Sequence, residues 1–171
     1  MIMNCSSKKK AVFVDRDGVI NIDYGYVNNM SNFHVIFESI CQLNTYMKMD
    51  YLIFIITNQS GIARKLYTEK QYLLFEREIE KFLSIFNIKI EKTLHCPHHN
   101  MINGYCSCRK PNMGMVLSVL FQYNIETTQM HFFGDSILDI KLAKKFDYEL
   151  IGRFTYEKKL YDVPTNARNC G

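Results

Sequence analysis

Four polar clusters in this sequence carry residue types suited to phosphoryl chemistry. They are Asp15-Arg16-Asp17-Gly18-Val19, Thr57-Asn58-Gln59-Ser60-Gly61, Arg109-Lys110-Pro111, and Gly134-Asp135-Ser136 with Asp139 four residues past Asp135. Three carboxylates that converge repel one another unless a cation sits among them. Hard oxygen ligands in partial supply, with room for water and a phosphate oxygen, suit Mg²⁺. A carboxylate at position 15 can attack phosphorus and form an aspartyl phosphate, which splits one hard displacement into two easier ones. Asp17 lies two residues on, on the same side of an extended chain. It can protonate the leaving oxygen and later deprotonate water. Thr57 offers a hydroxyl, and Lys110 a fixed positive charge, to the equatorial phosphoryl oxygens, where electrostatic stabilisation dominates. Each motif alone is ordinary, since Asp-x-Asp-Gly is often just a turn and Gly-Asp is common after a strand. All four in order, each following a strand or opening a helix, point to function.

A second constellation runs Cys96-Pro97-His98-His99, then Cys106-Ser107-Cys108. Three thiolates and one imidazole make a closed tetrahedral Zn²⁺ site with no open position for substrate, and such a site is structural. It would stiffen a loop with little core of its own and aim Arg109 and Lys110 at the phosphate. By spacing alone, His98 and His99 compete for the fourth place. Cys5, Cys41 and Cys170 are scattered and read as free thiols. Of the remaining histidines, His34 reads as a surface residue, and His95 and His131 as strand residues.

These residues need elements to position them. Apolar runs predict strands at Ala11–Val14, Tyr51–Ile56, Thr93–His95 and Met130–Phe133, and a last edge strand at Glu149–Ile151. Tyr51–Ile56 is apolar throughout, as expected when both faces of a strand are covered. Helical periodicity predicts helices at Glu38–Met49, Glu69–Phe86, Gly114–Tyr123 and Ile137–Phe146. Thr68 can cap the second of these, with Gln71 completing a capping box. Phe75, Ile79, Phe82 and Phe86 fall on one face of it, a core stripe rather than a ligand box. Strand and helix alternate five times, which argues for a parallel sheet covered on both faces. Ligands of such sheets bind beyond the carboxyl ends of the strands, where all four polar clusters fall. The only long irregular stretch expected is about Cys96 to Asn112. The tail after Phe154 gives no structural signal.

The chain has 171 residues, 47% of them hydrophobic and 22% charged, with 21 basic and 17 acidic side chains. That composition excludes wholesale disorder, a collagen-like repeat and a coiled coil. It suits a single domain over residues 1–171, with a zinc loop at about 96–108. No stretch reaches the roughly 18 apolar residues of a membrane span. Lys8-Lys9-Lys10 reads as a solvated lead-in with no apolar segment of a secretory signal behind it. The expectation is a cytoplasmic monomer with neither a membrane nor a nucleic-acid partner.

The conjunction of Asp15-Arg16-Asp17-Gly18, Thr57-Asn58, Lys110 and Gly134-Asp135 resembles the haloacid dehalogenase superfamily of aspartate-nucleophile phosphatases. The match spans Ala11 to about Phe146. The resemblance implies a Rossmann-like α/β fold with Asp15 as nucleophile and Asp17 as general acid and base. It implies that Thr57 and Lys110 bind the phosphoryl group. Asp15, the main-chain carbonyl of Asp17, and Asp135 would hold Mg²⁺. Asp139 would support Lys110 or the metal shell. A chain of this length leaves no room for a large cap domain, so the loops must shape the pocket.

The zinc loop is similar to that of a narrow subgroup containing D,D-heptose 1,7-bisphosphate phosphatases and histidinol-phosphate phosphatases. Its pattern, Cys-x-His then Cys-x-Cys, selects His98, so Cys96, His98, Cys106 and Cys108 are the implied ligands. The stretches DRDGVINIDYGYV from Asp15, TNQSGIAR from Thr57, and Cys96 to Pro111 favour the heptose enzymes. That likeness implies removal of the C7 phosphate of D-glycero-D-manno-heptose 1,7-bisphosphate, on the route to nucleotide-activated heptose for surface glycans such as lipopolysaccharide. It places Asp23, Tyr24, Gly25 and Tyr26 in the sugar-phosphate pocket with Thr57, Asn58, Gln59 and Ser60, and gives Arg109 a grip on the substrate beside Lys110. Two positions depart from the pattern: Val19 stands for the usual threonine, and Ser136 for a lysine of many heptose enzymes. The alternatives are histidinol phosphate or another small phosphomonoester as substrate. A different class is a zinc-stabilised nucleic-acid-binding module, against which the intact acidic set argues.

Overall fold

The fold is that of a computed structural model, which describes residues 8–148. Four strands, β1 (Lys9–Val14), β2 (Tyr51–Asn58), β3 (Ile90–Cys96) and β4 (Ile125–Phe133), form one sheet in the order β3-β2-β1-β4. Every pairing is parallel. The chain winds outward from β1 to β3, then returns to place β4 on the other side of β1. The order therefore reverses at β1, and a crevice opens beyond the carboxyl ends of the strands at such a point.

Helices α1 (Phe37–Lys48), α2 (Glu69–Ile85), α4 (Gly114–Tyr123) and α5 (Ile137–Lys144) cover the sheet, and a single turn, α3 (Asn100–Asn103), lies in the loop after β3. Alternation along the strands splits the core in two. Val12, Val14, Ile53 and Ile55 face Ile40 and Leu43 of α1 and Phe75, Ile79 and Leu83 of α2. Ala11, Phe13, Phe54 and Ile56 face Met115, Val116 and Val119 of α4 and Leu142 and Ala143 of α5. Phe13 stacks between Phe54 and Phe132, with ring centroids 5.7 and 5.2 Å away. The expected α/β fold with helices on both faces is what forms.

Local chemistry sets the ends of the elements. Thr68 accepts from the Gln71 N–H and the Gln71 side chain accepts from the Thr68 N–H, so the expected capping box starts α2. Ser136 and Asp139 make a second capping box on α5. Several boundaries differ from expectation. β1 begins at Lys9, so Lys9 and Lys10 belong to the strand rather than to a lead-in. β3 and β4 begin at Ile90 and Ile125, upstream of their apolar runs, because edge strands need only one buried face and tolerate polar residues. The loop Asp15–Ile36 is a second long irregular stretch, with only a 3-10 turn at Met30–Asn32. It gives no sequence signal because main-chain groups knit it together: the Arg16 carbonyl accepts from Val19, Ile20 and Asn21. The strand expected at Glu149–Ile151 and the tail after Phe154 lie outside the described residues.

Candidate active site

Beyond the carboxyl ends of β1, β2 and β4 lies a cleft of about 220 Å³. β1 delivers Asp15 and Asp17 to it, β2 delivers Thr57, Asn58 and Gln59, and the loop after β4 delivers Asp135 and Ser136. Arg109 and Lys110 reach it from the loop after β3, and Asp23, Gly25 and Tyr26 from the loop after β1. The structure thus gathers most of the residues singled out in the sequence. Tyr24 and Ser60 do not line the cleft; Tyr24 is exposed and meets the His34 ring edge-on.

Lys110 is 2% exposed, and its ammonium lies 2.8 Å from Asp15 Oδ2 and 2.7 Å from Asp139 Oδ1. Burial alone would lower the Lys110 pKa; Asp15 and Asp139 outweigh it and raise it. Burial pushes the Asp15 carboxyl up to about 7, opposed by Lys110 and reinforced by Asp139. Burial and Asp139 raise Asp135 as well. Oxygens of Asp15, Asp135 and Asp139 lie within 4.8 Å of one another. Three carboxylates face one ammonium, so the cluster holds more negative than positive charge in a partly desolvated place. That donor set fits a hard divalent cation. Asp139 is already engaged, with Oδ1 on Lys110 and Oδ2 accepting from the Ser136 hydroxyl. Asp15 is engaged too, with Oδ1 accepting from the Arg16 N–H at 2.8 Å and Oδ2 on Lys110, so the carboxylates of Asp15, Asp135 and Asp139 form one shared cluster. Gly18, at φ +80°, runs against Asp135 so closely that a Cβ there would strike its carboxylate.

Asp17 lines the same cleft outside that acidic cluster. It accepts from Arg16, from Asn21 Nδ2 at 3.0 Å and from Gln59 Nε2 at 2.9 Å. Gln59 also donates to Thr57 Oγ1 at 2.8 Å, which leaves the Thr57 hydroxyl proton to be donated elsewhere. Tyr67 O–H donates to Gln59 Oε1 at 2.8 Å and fixes which way that amide faces. Burial pushes the Tyr67 hydroxyl up to about 12, so it stays a donor.

The loop after β3 is built on a sulfur cluster. Cys96, His98, Cys106 and Cys108 present their ligand atoms together. Cys96 Sγ lies 3.6 Å from Cys106 Sγ and 3.2 Å from Cys108 Sγ, and His98 Nδ1 lies 3.3 Å from Cys108 Sγ. A tetrahedron with metal–sulfur bonds near 2.3 Å has edges of about 3.8 Å, so these residues fit a tetrahedral metal. His99 instead faces Arg64, with its Nε2 2.8 Å from the guanidinium. The loop is tied to the turn that follows β2, where Gln59 N–H donates to the Cys96 carbonyl and Ala63 N–H to that of Pro97.

Sequence reasoning missed Tyr67, Leu138 and the pair Arg16–Glu76. Tyr67 and Leu138 line the cleft. Arg16 is fully buried and Glu76 is 4% exposed. A signal existed: Tyr72, Phe75, Glu76, Ile79 and Leu83 form the buried stripe of α2. A carboxylate inside such a stripe demands a buried cation, and Arg16 is the one beside the site.

Residues 12–153 match the family described as polynucleotide kinase 3 phosphatase. The chain is 40% identical to the D-glycero-beta-D-manno-heptose-1,7-bisphosphate 7-phosphatase of Haemophilus influenzae, over 77% of this chain and 74% of that one. It is 39% identical to the D-glycero-alpha-D-manno-heptose-1,7-bisphosphate 7-phosphatase of Campylobacter jejuni, over 95% and 92%. It is also similar to the crystal structure of D,D-heptose 1,7-bisphosphate phosphatase from B. bronchiseptica complexed with magnesium and phosphate. That likeness has a TM-score of 0.73 at 26% identity and covers 80% of this chain and 76% of the other. An acidic cleft at the switch point of a parallel sheet and these relatives lead to one conclusion: the chain belongs to the polynucleotide kinase 3 phosphatase family and is a phosphatase of the haloacid dehalogenase type.

Proposed function

We propose that this chain is a Mg²⁺-dependent phosphatase that removes the C7 phosphate of D-glycero-D-manno-heptose 1,7-bisphosphate and leaves heptose 1-phosphate. The observation that carries the chemistry is the buried Lys110 ammonium 2.8 Å from Asp15, with the Asp135 carboxylate in the same cluster. The substrate is carried by the relatives, two of which are named for this bisphosphate.

In the first step an Asp15 oxygen attacks phosphorus, the bond from phosphorus to the C7 oxygen breaks, and Asp17 gives that oxygen a proton. In the second step Asp17 takes a proton from water, which attacks the aspartyl phosphate and frees inorganic phosphate and Asp15. Lys110 and the Thr57 hydroxyl hold the equatorial oxygens. Asp15, the Asp17 carbonyl and Asp135 would hold magnesium, which supplies the charge that lets one anion approach another. Cys96, His98, Cys106 and Cys108 would hold a structural Zn²⁺ that fixes the loop carrying Arg109 and Lys110. Asp23, Gly25, Tyr26, Asn58, Gln59 and Arg109, which line the cleft, form the surround of the sugar phosphate, with Tyr24 and Ser60 outside it. The same reading makes the chain one catalytic domain, a monomer, working on a small molecule in the cytoplasm.

Phosphate release from both anomers of heptose 1,7-bisphosphate, with histidinol phosphate and a 3′-phosphorylated oligonucleotide as controls, tests the proposal. The highest kcat/KM is expected on a heptose bisphosphate and only with Mg²⁺ present. A higher value on either control would overturn the substrate.

A further inference from the structure

Arg16 is the largest fully buried side chain among the described residues, and it lies outside the cleft lining. Burying a guanidinium is costly unless its donors are matched by carboxylates or carbonyls. Here they are. Nε and Nη2 donate to Asp17 Oδ1 at 3.2 and 3.0 Å, and Nη2 to Asp17 Oδ2 at 2.7 Å. Nη1 donates to Glu76 Oε1 at 2.8 Å, and Nη2 also to the Val27 carbonyl at 2.8 Å. The guanidinium carbon sits over the rings of Tyr72 and Phe75, 5.7 and 5.3 Å from their centroids. Glu76, Tyr72 and Phe75 all belong to α2, a helix of 17 residues anchored by its capping box.

Asp17 itself sits on a loop, and besides Arg16 its carboxylate accepts one hydrogen bond each from Asn21 and Gln59. Proton transfer requires its oxygen within hydrogen-bond reach of the leaving group. A planar fork fixes both the distance and the plane of the carboxylate it grips, which a point charge on a flexible stem does not. From this geometry we infer that Arg16 and Glu76 are positioning residues: Glu76 holds Arg16 to α2, and Arg16 holds the Asp17 carboxylate in the orientation that serves the leaving group. The inference rests on the assignment of Asp17 as general acid and base.

The test exploits the leaving group. The C7 alkoxide of the heptose needs a proton to depart, whereas p-nitrophenolate leaves without one. kcat/KM covers steps up to the first irreversible one, so it reports phosphoryl transfer to Asp15 on both substrates. Asp17→Asn should lower kcat/KM on heptose 1,7-bisphosphate by about 10²–10⁴-fold and on p-nitrophenyl phosphate far less. Arg16→Lys should produce the same split at roughly 10–100-fold, and Glu76→Gln a smaller split in the same direction. Circular dichroism and thermal melting establish that each variant folds; where Arg16→Lys does not, Glu76→Gln reads the same ratio. If Asp17→Asn splits the two substrates while the Arg16 and Glu76 variants lower both equally, or neither, the pair is merely structural and the inference is overturned. If Asp17→Asn produces no split, the acid assignment fails and the inference fails with it.

Discussion

The side-chain amide of Asn58 pairs with both main-chain groups of Lys110. Its Oδ1 accepts from the Lys110 N–H at 2.9 Å, and its Nδ2 donates to the Lys110 carbonyl at 3.2 Å. Asn58 closes β2, so this pairing extends the order of a central strand into the loop that carries the buried Lys110 ammonium. Asn58→Ala leaves two partly buried main-chain groups without those partners, at a cost of about 1–3 kcal/mol each at most. The expected outcome is a kcat lowered by about tenfold or more with KM changed less. Steady-state kinetics with a melting curve checks it. A KM rise at unchanged kcat would instead show that Asn58 acts through substrate binding alone and not through Lys110.

Ionisation of Asp15 sets a pH dependence. Its carboxyl is raised to about 7 in the folded protein by burial, against about 3.9 in an unfolded chain. A raised folded value contributes stability that is complete below the unfolded pKa and is lost as pH rises through the folded one. Metal-free protein should therefore lose stability between about pH 4 and pH 7, on the order of a few kcal/mol by pH 8. Magnesium competes with the proton at that carboxylate, so Mg²⁺ should raise the melting temperature more at pH 8 than at pH 5.5. Asp15→Asn should flatten the metal-free pH profile and abolish turnover while leaving the fold. Melting curves across pH, with and without Mg²⁺, measure all three.

The sulfur cluster predicts about one zinc per chain by metal analysis. Cys106→Ser should release it and lower the melting temperature, because the loop holds only the short turn α3 and little core. It should also lower kcat by ~10-fold or more, since Lys110 follows Cys108 by two residues. Full activity without zinc would contradict the coupling between the loop and Lys110.

Gly18→Ala tests the close approach to Asp135. The added Cβ strikes that carboxylate, and the φ of +80° disfavours an L side chain by about 1–2 kcal/mol. Half-saturation by Mg²⁺ should rise by roughly 10–100-fold, as for other losses of metal-ligand support, while zinc content stays the same. Titration of activity with Mg²⁺ reads the shift.

Much of this protein is settled by its sequence alone. The apolar runs Ala11–Val14 and Tyr51–Ile56 are short enough for strands, and a strand covered on both faces hides consecutive side chains while its neighbours satisfy the main chain. Once those strands are parallel, Asp15, Thr57 and Asp135 must meet at one edge, since each comes just after an apolar run at a strand's carboxyl end. Spacing also confined the sulfur cluster to one loop. Tertiary structure alone decided the rest. Arg16 looks in sequence like any charged loop residue; only the packing of α2 brings Glu76, sixty positions away, within 2.8 Å of it. The same holds for Asn58 on Lys110 and Tyr67 on Gln59. Such contacts depend on distances between separate elements, and those are set by how side chains of two layers interlock, which no local pattern of residues encodes.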